Sequence, residues 1–283
     1  MKLELFRTLW GIPEVVQRPA DAMKSVGYVG VEARVPTTSL GCQALAKWLD
    51  GEGLEYIGIV FTGGDVVPDQ SASIEDHISY LARQLDLAEQ LPIRFINVLA
   101  GNDRWPLARQ VDFFSQAMQL ADERAMQLSF ETHRATSLYS PWVTLELIEQ
   151  LPDLRFTSDV SHWVLVSERL LSDPLDDFSE FIKRVHHVQA RVGYPQGPQV
   201  PHPGAPEYQE ALLFHQQFWK SIWQVQFRAG YSLSTMTTEF GPDGYLHHLP
   251  FTNAPVADLS ELNDWMAIEE QRHFEQVSQL FTS

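Results

Sequence analysis

The feature that most constrains this chain is an alternation, repeated eight times, of short apolar runs of β type with longer amphipathic stretches. The runs are Leu3–Leu9, Val29–Ala33, Glu55–Val60, Arg94–Leu99, Gln127–His133, Arg155–Asp159, Val185–Arg191 and Ser232–Phe240. Segments of helical periodicity follow them, among them Ser73–Gln90, Ala108–Ala125, Pro141–Gln150, Glu207–Ala229 and Leu259–Phe281. Helix-length connections make successive strands parallel. An open doubly wound sheet usually carries a glycine-rich phosphate loop after its first strand. Here that position reads Trp10-Gly11-Ile12-Pro13. Eight strand–helix units without that loop predict an α/β chain closed into a (β/α)8 barrel. A length of 283 residues suits one such barrel, and no linker divides it, so residues 1–283 read as a single domain.

The connections are uneven. Helix-to-strand turns such as Ser25-Val26-Gly27 are short, whereas two strand-to-helix connections, 193–204 and 241–257, are long and rich in proline and aromatic residues. In such barrels the strand-to-helix loops build the catalytic face, so these two read as a partial cover over a pocket.

Composition narrows the partners. Lys and Arg number 20 against 37 Asp and Glu, a net charge of -17. Sequence-independent nucleic-acid binding needs basic surface to displace counterions from phosphates, so a nucleic-acid partner is not expected. No apolar run reaches the roughly 18–20 residues that a membrane span needs, and the charged start Met-Lys-Leu-Glu-Leu is a poor signal peptide. The single cysteine, Cys42, reads as structural and suits a cytoplasmic location.

Successive strand residues point to opposite faces. On the fifth strand Leu128, Phe130 and Thr132 share the face expected to meet the helices, which turns Ser129, Glu131 and His133 into the barrel. The same alternation groups Thr157, Asp159 and Ser161 on the sixth strand, with His162 in the turn beyond. It groups His187, Gln189 and Arg191 on the seventh, and Thr235, Thr237 and Glu239 on the eighth. Burying Glu131, Asp159 and Glu239 together requires a positive partner. One arginine does not offset three carboxylates, and a divalent cation with oxygen ligands does. Trp10 stands near the end of the first strand, and Trp105 and Trp163 fall in loops.

With these residues the chain resembles the xylose-isomerase-like TIM barrels, which include sugar isomerases, ketose 3-epimerases, inosose dehydratases and endonuclease IV-type repair enzymes. The resemblance rests on Gly27-Tyr28-Val29-Gly30-Val31-Glu32, Phe130-Glu131-Thr132-His133, Ser158-Asp159-Val160-Ser161-His162-Trp163, His186-His187-Val188-Gln189-Ala190-Arg191 and Thr238-Glu239-Phe240-Gly241. It implies metal ligands at Glu131, Asp159 and Glu239. A fourth falls at Gln189, where the family commonly carries the second histidine of a His-x-His pair. His187 shares that face but lies about 6 to 7 Å lower along the strand. An amide oxygen in place of imidazole favours Mn or Mg over Co or Zn.

The activity implied is isomerisation or epimerisation of a sugar, sugar phosphate or polyol through a metal-stabilised enediolate. In that scheme Glu131 and Glu239 form the proton-transferring pair, His162 and Arg191 hold substrate oxygens, His133 does the same or supports Glu131, and Trp10, Trp105 and Trp163 offer faces that could stack on a sugar. A dehydratase or lyase on the same barrel and a non-catalytic ligand-binding barrel are the alternatives. A homo-oligomer is compatible with either.

Overall fold

A computed structural model describes residues 1–12, 20–242 and 244–282. The chain runs β1 (Lys2–Thr8), α1 (Ala20–Val26), β2 (Tyr28–Arg34), α2 (Ser39–Glu52), β3 (Glu55–Phe61), α3 (Ile74–Ala88), β4 (Ile93–Leu99) and α4 (Leu107–Glu123). It continues through β5 (Leu128–Glu131), α5 (Pro141–Gln150), β6 (Phe156–Ser158), α6 (Val160–Ser167), α7 (Ser179–Ile182), β7 (Val185–Ala190), α8 (Gln209–Arg228), β8 (Leu233–Thr238) and α9 (Leu259–Ser278). The strands close in sequence order, β1 to β8, into a barrel. This is the (β/α)8 fold expected from the alternation. Its contacts cluster in two units, Gly30–Ser158 and Met1–Val29 with Asp159–Ser283.

In the Gly30–Ser158 unit the strand pairs β2–β3, β3–β4, β4–β5 and β5–β6 are all parallel. The helices begin where the sequence supplies caps. Ser73 accepts from the Asp76 N–H while Asp76 returns a bond to Ser73, a capping box that starts α3. Gly53 ends α2 in the left-handed conformation, with φ of 59°. The outward face of β5 is the one its apolar residues predicted: the Phe130 ring meets Phe114 of α4 edge-on, with centroids 4.9 Å apart. Burying a side chain of that size stabilises the fold by roughly 1.5–3 kcal/mol. Cys42 is buried on α2.

In the other unit β8 pairs in parallel with β1 and β7. An aromatic cluster of Trp163, Phe178 and Phe181 packs on Phe218 of α8. Five strands stop before their expected ends, β1 and β7 by one residue each. β5 ends at Glu131, β6 at Ser158 and β8 at Thr238. The reason is clearest for β6: Asp159 caps α6, its side chain accepting from the Ser161 N–H, so the chain turns helical where a strand residue was expected. The candidate carboxylates thus stand at or just past the C-terminal ends of their strands. No helix among the described residues is long and apolar enough to cross a membrane.

Candidate metal centre

Within the Gly30–Ser158 unit, Glu131 is 1% exposed. Its position on β5 matches the β4 residue Asn97 in facing direction, because Asn97 pairs with Ser129 two residues earlier. Asn97 Nδ2 donates to Glu131 Oε2 at 2.6 Å and to Glu32 Oε1 at 3.1 Å. One amide group therefore serves two buried carboxylates, Glu32 on β2 and Glu131 on β5. His133 lies past the strand end and is buried. Its Nδ1 donates to the Arg134 carbonyl at 2.5 Å, which leaves Nε2 as the acceptor nitrogen.

The other unit gathers most of the remaining candidates. Asp159 is fully buried, and Arg191 forms a close ion pair with its Oδ2. The same guanidinium lies 3.4 Å from Glu239 Oε2, so Asp159 and Glu239 flank one cation. Arg191 Nη2 also donates to His162 Nε2 at 2.7 Å, which puts the His162 proton on Nδ1. Ser161 ties the group together. Its hydroxyl donates to Asp159 Oδ1 at 2.5 Å and accepts from Arg191 Nε at 3.2 Å. Burial pushes the Asp159 carboxyl above the ordinary carboxylate range, against the pull of Arg191 and Ser161.

Two aromatic rings confine Arg191. Its Cζ lies 4.8 Å from the Tyr245 centroid and 5.9 Å from that of Trp10. Trp10 and Tyr245 meet edge-on at 4.9 Å. Gly241 makes room for this: a Cβ there would fall 2.0 Å from the Trp10 ring. Tyr245, a residue of the long aromatic 241–257 connection, thus stands beside Arg191.

Gln189 is buried on β7 opposite Thr237. His187, the other candidate on that strand, is engaged elsewhere: its ring nitrogens lie 2.8 Å from Thr235 Oγ1 and 3.0 Å from Thr237 Oγ1. Both β8 threonines hold it low in the strand pair, as the strand spacing predicted. The structure corrects two of the sugar-stacking candidates. Trp105 is buried against His77 and Phe113, and Trp163 against Phe178 and Phe181, so both indoles are core. Of the three, Trp10 alone lies beside Arg191.

Buried carboxylates at strand ends, backed by amides and hydroxyls, suit a divalent cation, and the residues of each unit fit that requirement.

Residues 20–200 match the family model described as xylose isomerase-like TIM barrel. The chain belongs to that family. No curated protein matches it in sequence. Solved structures share the fold at low identity. A xylose isomerase-like TIM barrel protein from Mycobacterium smegmatis, solved in complex with magnesium, superposes with a TM-score of 0.63 at 12% identity, over 99% of this chain and 98% of that one. A probable 3-DHS dehydratase, AsbF of Bacillus anthracis, gives 0.59 at 16% identity, over 97% and 99%. A 3-keto-D-glucoside 4-epimerase from E. coli gives 0.57 at 12% identity, over 96% and 99%.

Proposed function

We propose that this xylose isomerase-like barrel is a divalent-metal-dependent isomerase or epimerase of a small sugar or polyol. In this reading Glu131, Asp159 and Glu239 hold one cation, with Gln189 as a fourth, neutral oxygen donor. The observation that carries it is that Glu131, Asp159 and Glu239 are each buried at or just past the C-terminal end of their own strand. The sugar epimerases among the solved structures of this fold support the same reaction class.

When bound, the cation acts as a Lewis acid for negative charge that develops on substrate oxygens. The protein's own residues do the rest. Glu131 and Glu239 exchange a proton with the substrate carbon, one carboxylate removing it and the other returning it. His133 and His162 meet substrate oxygens, with tautomers set by the Arg134 carbonyl and by Arg191. Arg191 pairs with Asp159 and orders the Trp10–Tyr245 wall. That wall offers an apolar face to a sugar ring and excludes water.

A dehydratase is the second reading, favoured by the likeness to AsbF, because an acid–base carboxylate pair also serves removal of a hydroxyl beside an acidic C–H. One experiment separates the two. Protein loaded with Mn is incubated with free ketoses and polyols in deuterated water and followed by proton NMR. Isomerase or epimerase action puts solvent deuterium on a substrate carbon without loss of water, and Glu239→Gln removes that exchange. A dehydrated product points to the second reading, and no reaction with any substrate contradicts both.

A further inference from the structure

Sheet pairing of β8 ends at Thr238, so it does not fix the two residues that follow Glu239. Both are fixed by side-chain amides instead. Asn263 of α9 takes Phe240: its Oδ1 accepts the Phe240 N–H at 2.9 Å and its Nδ2 donates to the Phe240 carbonyl at 2.9 Å. Gln199, in the connection between β7 and α8, takes Gly241 in the same way. Its Oε1 accepts the Gly241 N–H at 2.9 Å and its Nε2 donates to the Gly241 carbonyl at 3.2 Å. Each carboxamide presents one donor and one acceptor, as the peptide of a neighbouring strand does. Both side chains are fully buried.

The clamps are themselves held. Tyr28 donates to the Asn263 carbonyl at 2.8 Å and its hydroxyl lies 2.8 Å from Thr238 Oγ1, which ties α9 to the end of β8. His247 Nε2 lies 3.2 Å from the Gln199 carbonyl. A buried backbone pair needs partners, but any polar group or water supplies that need. Two successive residues each bound at both backbone atoms by a fully buried amide is a stronger constraint, and it acts on the peptide that carries Glu239.

We infer that Gln199 and Asn263 are positioning residues that set the direction of the Glu239 carboxylate. This rests on Glu239 being a metal ligand in the proposed function. A ligand carboxylate must be held to within a fraction of an ångström and a few tens of degrees, and a residue just past its strand has no sheet neighbour to do so. The long connection that carries Gln199 therefore has a role beyond covering the mouth: it reads the position of the β8 end and fixes it.

The test is binding of Mn alone, measured by calorimetry on the full-length protein, with thermal unfolding recorded in parallel. The variants are Gln199→Leu, Asn263→Leu and the milder Asn263→Asp, which keeps the acceptor for Phe240 N–H and removes the donor. Gln226→Leu is the control, because Gln226 is also a buried amide of this unit but donates to Val185 at the start of β7. The expected result is Mn binding at least tenfold weaker in Gln199→Leu and in whichever Asn263 variant folds. The control should lose thermal stability and keep Mn affinity within twofold of the parent. Variants at 199 and 263 that lose stability but bind Mn like the control would overturn the inference and leave the metal site standing. Failure of the parent to bind Mn, or Mn binding indifferent to Glu239→Gln, would overturn the metal reading together with the inference.

Discussion

Asn97 holds Glu131 through a single amide hydrogen, Nδ2 to Oε2 at 2.6 Å, while its other hydrogen reaches Glu32 at 3.1 Å. Two buried carboxylates of the same unit thus share one donor group. Hydrogen bonds to charged groups are worth about 1.5–3 kcal/mol each. Asn97→Leu should therefore lower the unfolding free energy by about 3 kcal/mol or more, read from urea melts. Asn97→Asp should be worse, because it adds a third carboxylate to the pair. A loss below about 1 kcal/mol for the leucine variant would show that the amide is not what keeps these two groups buried.

His215 links the fold to pH. It is fully buried on α8, its Nδ1 donates to the Ala211 carbonyl at 2.8 Å, and its Nε2 accepts the Gly193 N–H at 3.3 Å. Burial first, with Arg191 nearby, pushes its pKa down to about 4. The neutral ring is the folded form. Stability from this group is complete above the ordinary histidine value of about 6.5 and is lost as pH falls from there towards 4. Between pH 7.5 and pH 5 the loss amounts to about 2 kcal/mol. His215→Gln, which keeps a donor and an acceptor without a titrating ring, should shrink the stability difference between those two pH values by about that amount. An unchanged difference would assign the acid sensitivity elsewhere, with His77 the next candidate because burial also lowers its pKa to about 4.

Gln189 is the fourth, neutral donor of the proposed site, at the position where the family resemblance implies a histidine. Its amide oxygen is a weaker and harder donor than imidazole. Gln189→His should tighten binding of Zn or Co by at least tenfold more than binding of Mg. Calorimetry with the separate ions checks this. Affinities for all these ions that are the same in both proteins would show that position 189 does not touch the metal. His187 would not replace it, because Thr235 and Thr237 already engage its ring.

The sequence made the barrel legible because both of its periods are strong. Apolar alternation placed Phe130 on the helix side of β5 and Glu131 opposite, and the Phe130–Phe114 contact agrees. The same alternation brought out Asp159, Arg191 and Glu239, whose charges stand out at buried positions. The amides did not stand out. Asn97, Gln199 and Asn263 act on partners 34, 42 and 23 residues away, and a carboxamide in a strand, loop or helix leaves no periodic trace. Glu32 was visible only as part of a motif, because its partner Asn97 lies two strands on. The strand ends were overestimated for a related reason. Asp159 has the character of a strand residue by alternation and of a helix cap by chemistry, and the cap prevails.

The central claim, one divalent cation shared by Glu131, Asp159 and Glu239, is tested most directly by a crystal structure of the protein grown with Mn, using anomalous scattering at the manganese edge. The expected result is a single strong anomalous peak with an oxygen of each of the three carboxylates at about 2.0–2.6 Å. No peak, or a peak that leaves any two of these carboxylates uncoordinated, would contradict it.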